Sequence, residues 1–121
     1  MTEGSGALDM RVLDELRASV GGDQEFVAEL VDDFLADAPA RLEALRAATS
    51  SGDPDVARRA AHTLKGTSRT FGATALAALC QKAEAAAGVG DLDSVRTQLE
   101  AIDGEWSRAR TELVSIRDGG A

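Results

Sequence analysis

Residues 92–117 read LDSVRTQLEAIDGEWSRARTELVSIR. In this stretch Leu92, Val95, Leu99, Ile102, Trp106, Ala109, Leu113 and Ile116 recur in steps of three and four, which keeps them on one face of an α-helix. About seven turns with a single apolar stripe need neighbours of similar length to bury it. The chain upstream supplies them. Asp23 is placed to cap a helix over about residues 24–48, in which Phe26, Val27, Leu30, Val31, Phe34, Leu35, Ala38, Leu42 and Leu45 hold one stripe. Pro39 removes a hydrogen bond from that ladder but leaves the stripe intact, so the segment reads as one kinked helix, with a genuine break at Pro39 as the alternative. After the turn Thr49-Ser50-Ser51-Gly52, Asp53 is an N-cap, Pro54 occupies the first helical position, and a helix runs to Arg69 or Thr70. Leu76, Leu79, Cys80 and Ala83 mark a fourth long element that Gly88 and Gly90 end. Met10, Leu13, Leu16 and Val20 predict a short helix over Leu8–Val20, stopped by Gly21-Gly22. The expected fold is all-α: an antiparallel four-helix bundle with a short additional N-terminal helix, spanning residues 8–117 between flexible tails at 1–7 and 118–121.

Composition agrees with that expectation. With 121 residues the chain builds one core, and 23 alanines, three phenylalanines, one tryptophan and no tyrosine favour closely packed helices over a sheet. A net charge of −8 repels phosphate backbones and anionic lipid, so neither nucleic acid nor membrane is an expected partner. One cysteine excludes an internal disulfide and suits a reducing compartment. No apolar run approaches the roughly 20 residues of a membrane span, and Met1–Leu8 lacks the features of a secretory signal, so the expected location is cytoplasmic.

Chemistry concentrates in residues 55–72, DVARRAAHTLKGTSRTFG. On a helical wheel Ala57, Ala60, Ala61, Leu64, Ser68 and Phe71 define the buried side, and His62, the only histidine, lies roughly 150° from it. Arg58, Lys65, Gly66 and Arg69 share the exposed face with His62. Gly66 costs about 1 kcal/mol of helix propensity relative to alanine, which close approach of something to the backbone would explain, as would close helix packing. From Val56 to Ala83 there are five basic residues and no acidic one, leaving 8 basic and 21 acidic residues, a net −13, elsewhere. Cations beside an imidazole favour its neutral, nucleophilic form, and they can neutralise a phosphoryl group placed on the ring.

The segment AHTLKGTSRTFGATALAALCQKAE, Ala61 to Glu84, resembles the histidine-containing phosphotransfer (HPt) domain family. The family's pattern is a histidine, an apolar residue, Lys-Gly, small residues, an apolar-Gly-Ala turn and a Leu-rich helix. The resemblance extends over nearly the whole chain, including DFLADAPARLEALR from Asp33 to Arg46. It implies that His62 is phosphorylated at Nε2, that Lys65 helps hold the phosphoryl group, and that Gly66 clears the approach of the partner. It further implies that Glu84, at the family's hydrogen-bonding position on the next helix, accepts a bond from Nδ1–H. Arg69 departs from the small residue frequent at its position, where it either enlarges the positive patch or leans across the site.

The function so implied is that of a phosphorelay carrier, passing a phosphoryl group between receiver-domain aspartates, with no ATP-binding domain of its own. Response-regulator receivers and a hybrid sensor histidine kinase are the implied partners. Any Mg²⁺ belongs to the receiver, so the chain is expected to need no metal or cofactor, and it is expected to be monomeric. The rival reading is a noncatalytic helical adaptor whose basic patch docks an acidic partner. A Cys80–His62 nucleophile pair is disfavoured because Cys80 falls in an apolar stripe. A metal site is disfavoured because one histidine and one cysteine fall short of the usual ligand set.

Overall fold

The computed structural model describes residues 6–120; the parts of the expected tails at 1–5 and 121 lie outside them. Five helices follow one another: α1 (Met10–Ser19), α2 (Gln24–Ser51), α3 (Pro54–Thr70), α4 (Thr74–Gly88) and α5 (Leu92–Arg117). The links between α2 and α5 are only two or three residues long, so consecutive helices run antiparallel. α2 packs on α3 and α5, and α4 packs on the same two, which closes a four-helix bundle; α1 lies against α2 and α3.

Asp23 and Asp53 cap their helices as the sequence indicates, and Asp91 does the same for α5. The carboxylates of Asp23, Asp53 and Asp91 accept from the amides of Phe26, Val56 and Ser94. Two boundaries shift. The first helix begins at Met10 rather than Leu8, because Asp9 takes the capping position and accepts from the Arg11 amide. α2 continues through the expected turn to Ser51, where Gly52, at φ 79°, donates to the Ala48 carbonyl and ends it. Pro39 does not break α2.

Val27, Val31, Phe34, Ala38, Leu42 and Leu45 form the buried stripe of α2, whereas Phe26, expected in that stripe, is 45% exposed. Its place on the wheel, one residue from Val27, turns it off the buried face in the first turn of the helix. Three aromatics meet in the core: Phe34 stacks on Phe71 with centroids 4.9 Å apart and meets Trp106 edge-on at 5.2 Å. The packed unit extends to Ala7, which is buried, and the amides of Ala7 and Leu8 both donate to the Glu112 carboxylate. At the other end the amides of Asp118, Gly119 and Gly120 donate back to α5 carbonyls.

Gly72 ties α1 to the α3–α4 turn. Its carbonyl accepts from the Asp9 amide at 2.7 Å, its φ is +76°, and a Cβ there would lie 2.8 Å from the Asp9 carbonyl oxygen. Gly104 has no such constraint, since a Cβ would meet nothing within 4 Å. Urea denaturation is expected to show Gly72→Ala destabilising the chain by more than about 1 kcal/mol and Gly104→Ala stabilising it by up to about 1 kcal/mol. Equal effects of the two changes would contradict this account of Gly72.

Candidate functional site

α3 buries Ala57, Ala60, Ala61, Leu64 and Ser68 and turns the opposite side outward. His62, at its middle, has a side chain 63% exposed, while Leu64 and Phe71 point inward as the wheel requires. The antiparallel turn sets what lies beside it. His62 and Glu84 are each eleven residues from Ala73, so the returning helix α4 carries Glu84 back to the level of His62.

Glu84 is shared between two side chains of α3. Its Oε2 lies 2.8 Å from His62 Nδ1, and its Oε1 lies 2.6 Å from Lys65 Nζ. Oε1 is buried and has no other partner, so the Lys65 ammonium is what compensates it. Lys65 was expected on the solvent side, but its side chain is only 13% exposed because it crosses the α3–α4 seam to reach Glu84. The Lys65 ammonium holds the Glu84 carboxyl below its ordinary value, and the bond to His62 lowers it further against the opposing effect of burial. An ionised carboxylate only accepts, so in the neutral imidazole the ring proton sits on Nδ1 and Nε2 keeps its lone pair. Nε2 has no hydrogen-bond partner among the described residues.

Gly66 is exposed one turn beyond His62, and a Cβ there would meet nothing within 4 Å. Close packing within the chain therefore does not explain the glycine. Arg69 lies almost two turns beyond His62, and its guanidinium reaches Gln81 Oε1 on α4 at 3.4 Å rather than any atom of the histidine. Cys80 is fully buried; burial first, and the Glu84 charge second, push its thiol up to about 12. It is no nucleophile at neutral pH. Among the described residues no three His, Cys, Asp or Glu side chains are grouped so as to hold a metal ion, and no helix is long and apolar enough to cross a membrane.

Sequence reasoning did not single out Arg41. α2 brings it to a cleft of about 390 Å³ beside His62, together with Arg58 and Arg59 of α3. Its only signal in the sequence is Asp37 four residues earlier, the partner of its guanidinium at 3.2 Å.

The Hpt domain family model matches residues 29–112. The fold is similar to the crystal structure of histidine-containing phosphotransfer protein B (HptB) from Pseudomonas aeruginosa PAO1, with TM-score 0.86 and 32% identity over 95% of this chain and 97% of that one. It is also similar to histidine-containing phosphotransfer protein ZmHP2 from maize, with TM-score 0.81 and 23% identity over 98% of this chain and 90% of that one, a likeness of fold alone. No curated protein sequence matches the chain. A four-helix bundle that matches the family model across most of its length belongs to the Hpt domain family, the phosphoryl carriers of two-component phosphorelays.

The lowered Glu84 carboxyl has a consequence for acid stability. Its contribution is complete above the ordinary value of 4.5 and is lost as pH falls through the lower folded value. The stability difference between wild type and Glu84→Gln should therefore be largest above pH 4.5 and shrink below it. Urea midpoints on both sides of that pH check this, and a constant difference would show that the pairing with Lys65 contributes nothing.

Proposed function

We propose that His62 is the phosphoacceptor and that the chain carries its phosphoryl group between the aspartates of response-regulator receiver domains, with a hybrid sensor histidine kinase upstream. The observation that carries this reading is the exposed imidazole bonded at Nδ1 to an ionised carboxylate, with Nε2 open to solvent. In the forward step the Nε2 lone pair attacks the phosphorus of an aspartyl phosphate. The N–P bond forms, the P–O bond to the aspartate breaks, and the carboxylate leaves with the electron pair. The ring gains positive charge as the bond forms, and Glu84 at 2.8 Å compensates that charge through Nδ1–H. The return step reverses these events onto a second aspartate. Mg²⁺ and the acidic pocket belong to the receiver.

Lys65 has three ammonium protons, and Glu84 occupies one direction, so the others can serve phosphoryl oxygens without breaking the Glu84 contact. Gly66 leaves the surface beside the ring free of a side chain, where a receiver loop must come close. Arg69 contributes positive charge from the end of α3. In this reading the chain acts as a cytoplasmic monomer, and its partners are proteins rather than nucleic acid or membrane.

Transfer from a phosphorylated receiver tests the proposal. His62→Gln is expected to abolish it, and transfer surviving that change would leave only the docking role of an adaptor. Glu84→Gln should keep appreciable transfer because its amide oxygen still accepts from Nδ1–H, whereas Glu84→Ala loses about 1 kcal/mol of transition-state stabilisation, or several-fold in rate. Nitrogen-resolved NMR of His62 gives the independent check, since wild-type tautomer populations in Glu84→Ala would remove Glu84 from the mechanism. Lys65→Ala should slow transfer while the bundle stays folded. Gly66→Ala should fold at least as stably as wild type and still slow transfer, as rapid-quench kinetics and urea midpoints together would show.

A further inference from the structure

The groove between α2 and α3 has two ends of opposite charge. Beside His62 the cleft is lined by three guanidinium groups, Arg41, Arg58 and Arg59, and by no carboxylate. Further along the same two helices, towards the end of α3, a second cleft of about 490 Å³ is lined by Asp33 and Asp37, with Thr67 and Thr70 opposite them and no basic side chain. The Arg41–Asp37 pair, 3.2 Å between Nε and Oδ2, marks the boundary between the two ends. From Arg41 back to Asp33 is eight residues of helix, about 12 Å.

The cations at the first end are available to a partner. Arg58 and Arg59 share one carboxylate, Asp55, at 3.2 and 3.1 Å, in exposed pairs three and four residues apart. Such pairs are weak and exchange readily for a better acceptor. Each guanidinium has five donors and these contacts use few of them. At the other end Asp33 is exposed and makes no ion pair or hydrogen bond among the described residues. The surface around the phosphorylation site is therefore not uniformly basic. It has a direction along the helices.

Resting on the proposed function, we infer that this charge polarity fixes the orientation in which a receiver docks. The receiver's acid-rich active site must come down on His62 for the phosphoryl group to pass, which sets its carboxylates over the arginine cleft. Its surface about 12 Å further along the groove then presents a basic side chain to Asp33. A receiver turned end for end about His62 would lose the contact of that basic side chain with Asp33 and carry it to the Arg58–Arg59 side of the histidine instead, so Asp33 and Arg59 act as specificity-determining residues by disfavouring the reversed pose as well as by favouring the productive one.

The sign of one substitution separates this from simple electrostatic steering. If the face attracts acidic receivers only through its total positive charge, Asp33→Lys improves the encounter. If the polarity is read, Asp33→Lys weakens it. Steady-state transfer to the full chain from a phosphorylated receiver that exchanges with wild type provides the measurement. Asp33→Lys and Arg59→Glu are each expected to raise KM about five-fold or more while leaving the rate at saturation within about two-fold. An unchanged or lowered KM in Asp33→Lys, in a chain whose circular dichroism and urea midpoint show it folded, overturns the inference and leaves the proposed function standing. Wild-type chain that takes phosphoryl from no receiver, or His62→Gln that still does, defeats the proposed function itself.

Discussion

The register of α3 against α4 is fixed at Gly72, and the arrangement of the site follows from it. The turn needs a residue at φ +76° whose missing Cβ lets the Asp9 backbone close to within hydrogen-bonding distance. The Ala73 amide then donates to the Ser68 carbonyl at 2.8 Å, and α4 starts at once. A slip of one residue in that turn would rotate Glu84 by about 100° and carry it away from His62. Glu84 in turn holds both Lys65 and the imidazole, so a backbone conformation ten residues distant decides which nitrogen of the histidine is free.

Much of this was legible in the sequence because the signals are local. The stripe of α5, the aspartate caps at Asp23 and Asp53, and the outward direction of His62 all depend on residues within a few turns of one another. Where the reading fell short, the missing information was tertiary. Phe26 satisfies the period of α2 yet lies in its first turn, off the buried face. Lys65 is on the exposed side by the wheel, but a long side chain is free to fold towards a carboxylate on another helix, and Glu84 stands 19 residues away in the chain. The arginine cleft was illegible for the same reason, since Arg41 reaches it from α2, an element read only for its apolar stripe. Glu84 itself came from resemblance to a family, which supplied the pairing that spacing alone left open.

Charge is distributed here with local exceptions to a global rule. The chain as a whole is acidic, with a net −8, and the surface around His62 departs from that average by bringing basic residues of α2 and α3 together. Yet Lys65, which shares the Glu84 carboxylate with the ring, is neutralised by it in the resting state. In the proposed function, long-range attraction of an acidic partner and local handling of a phosphoryl group thus fall to different side chains, the first to the exposed arginines and the second to Lys65.

The imidazole is anchored through one nitrogen only, and no loop, lid or neighbouring side chain covers the other among the described residues. With His62 as the proposed phosphoacceptor, a phosphoryl group on Nε2 stands open to water, because the imidazole that carries it is 63% exposed. Its lifetime is set by the intrinsic hydrolysis of the N–P bond and by whatever shielding a docked partner adds. On that reading a phosphoryl group on the ring is divided between collection by a docked receiver and hydrolysis, so the concentration of receivers sets how much of each pulse is passed on.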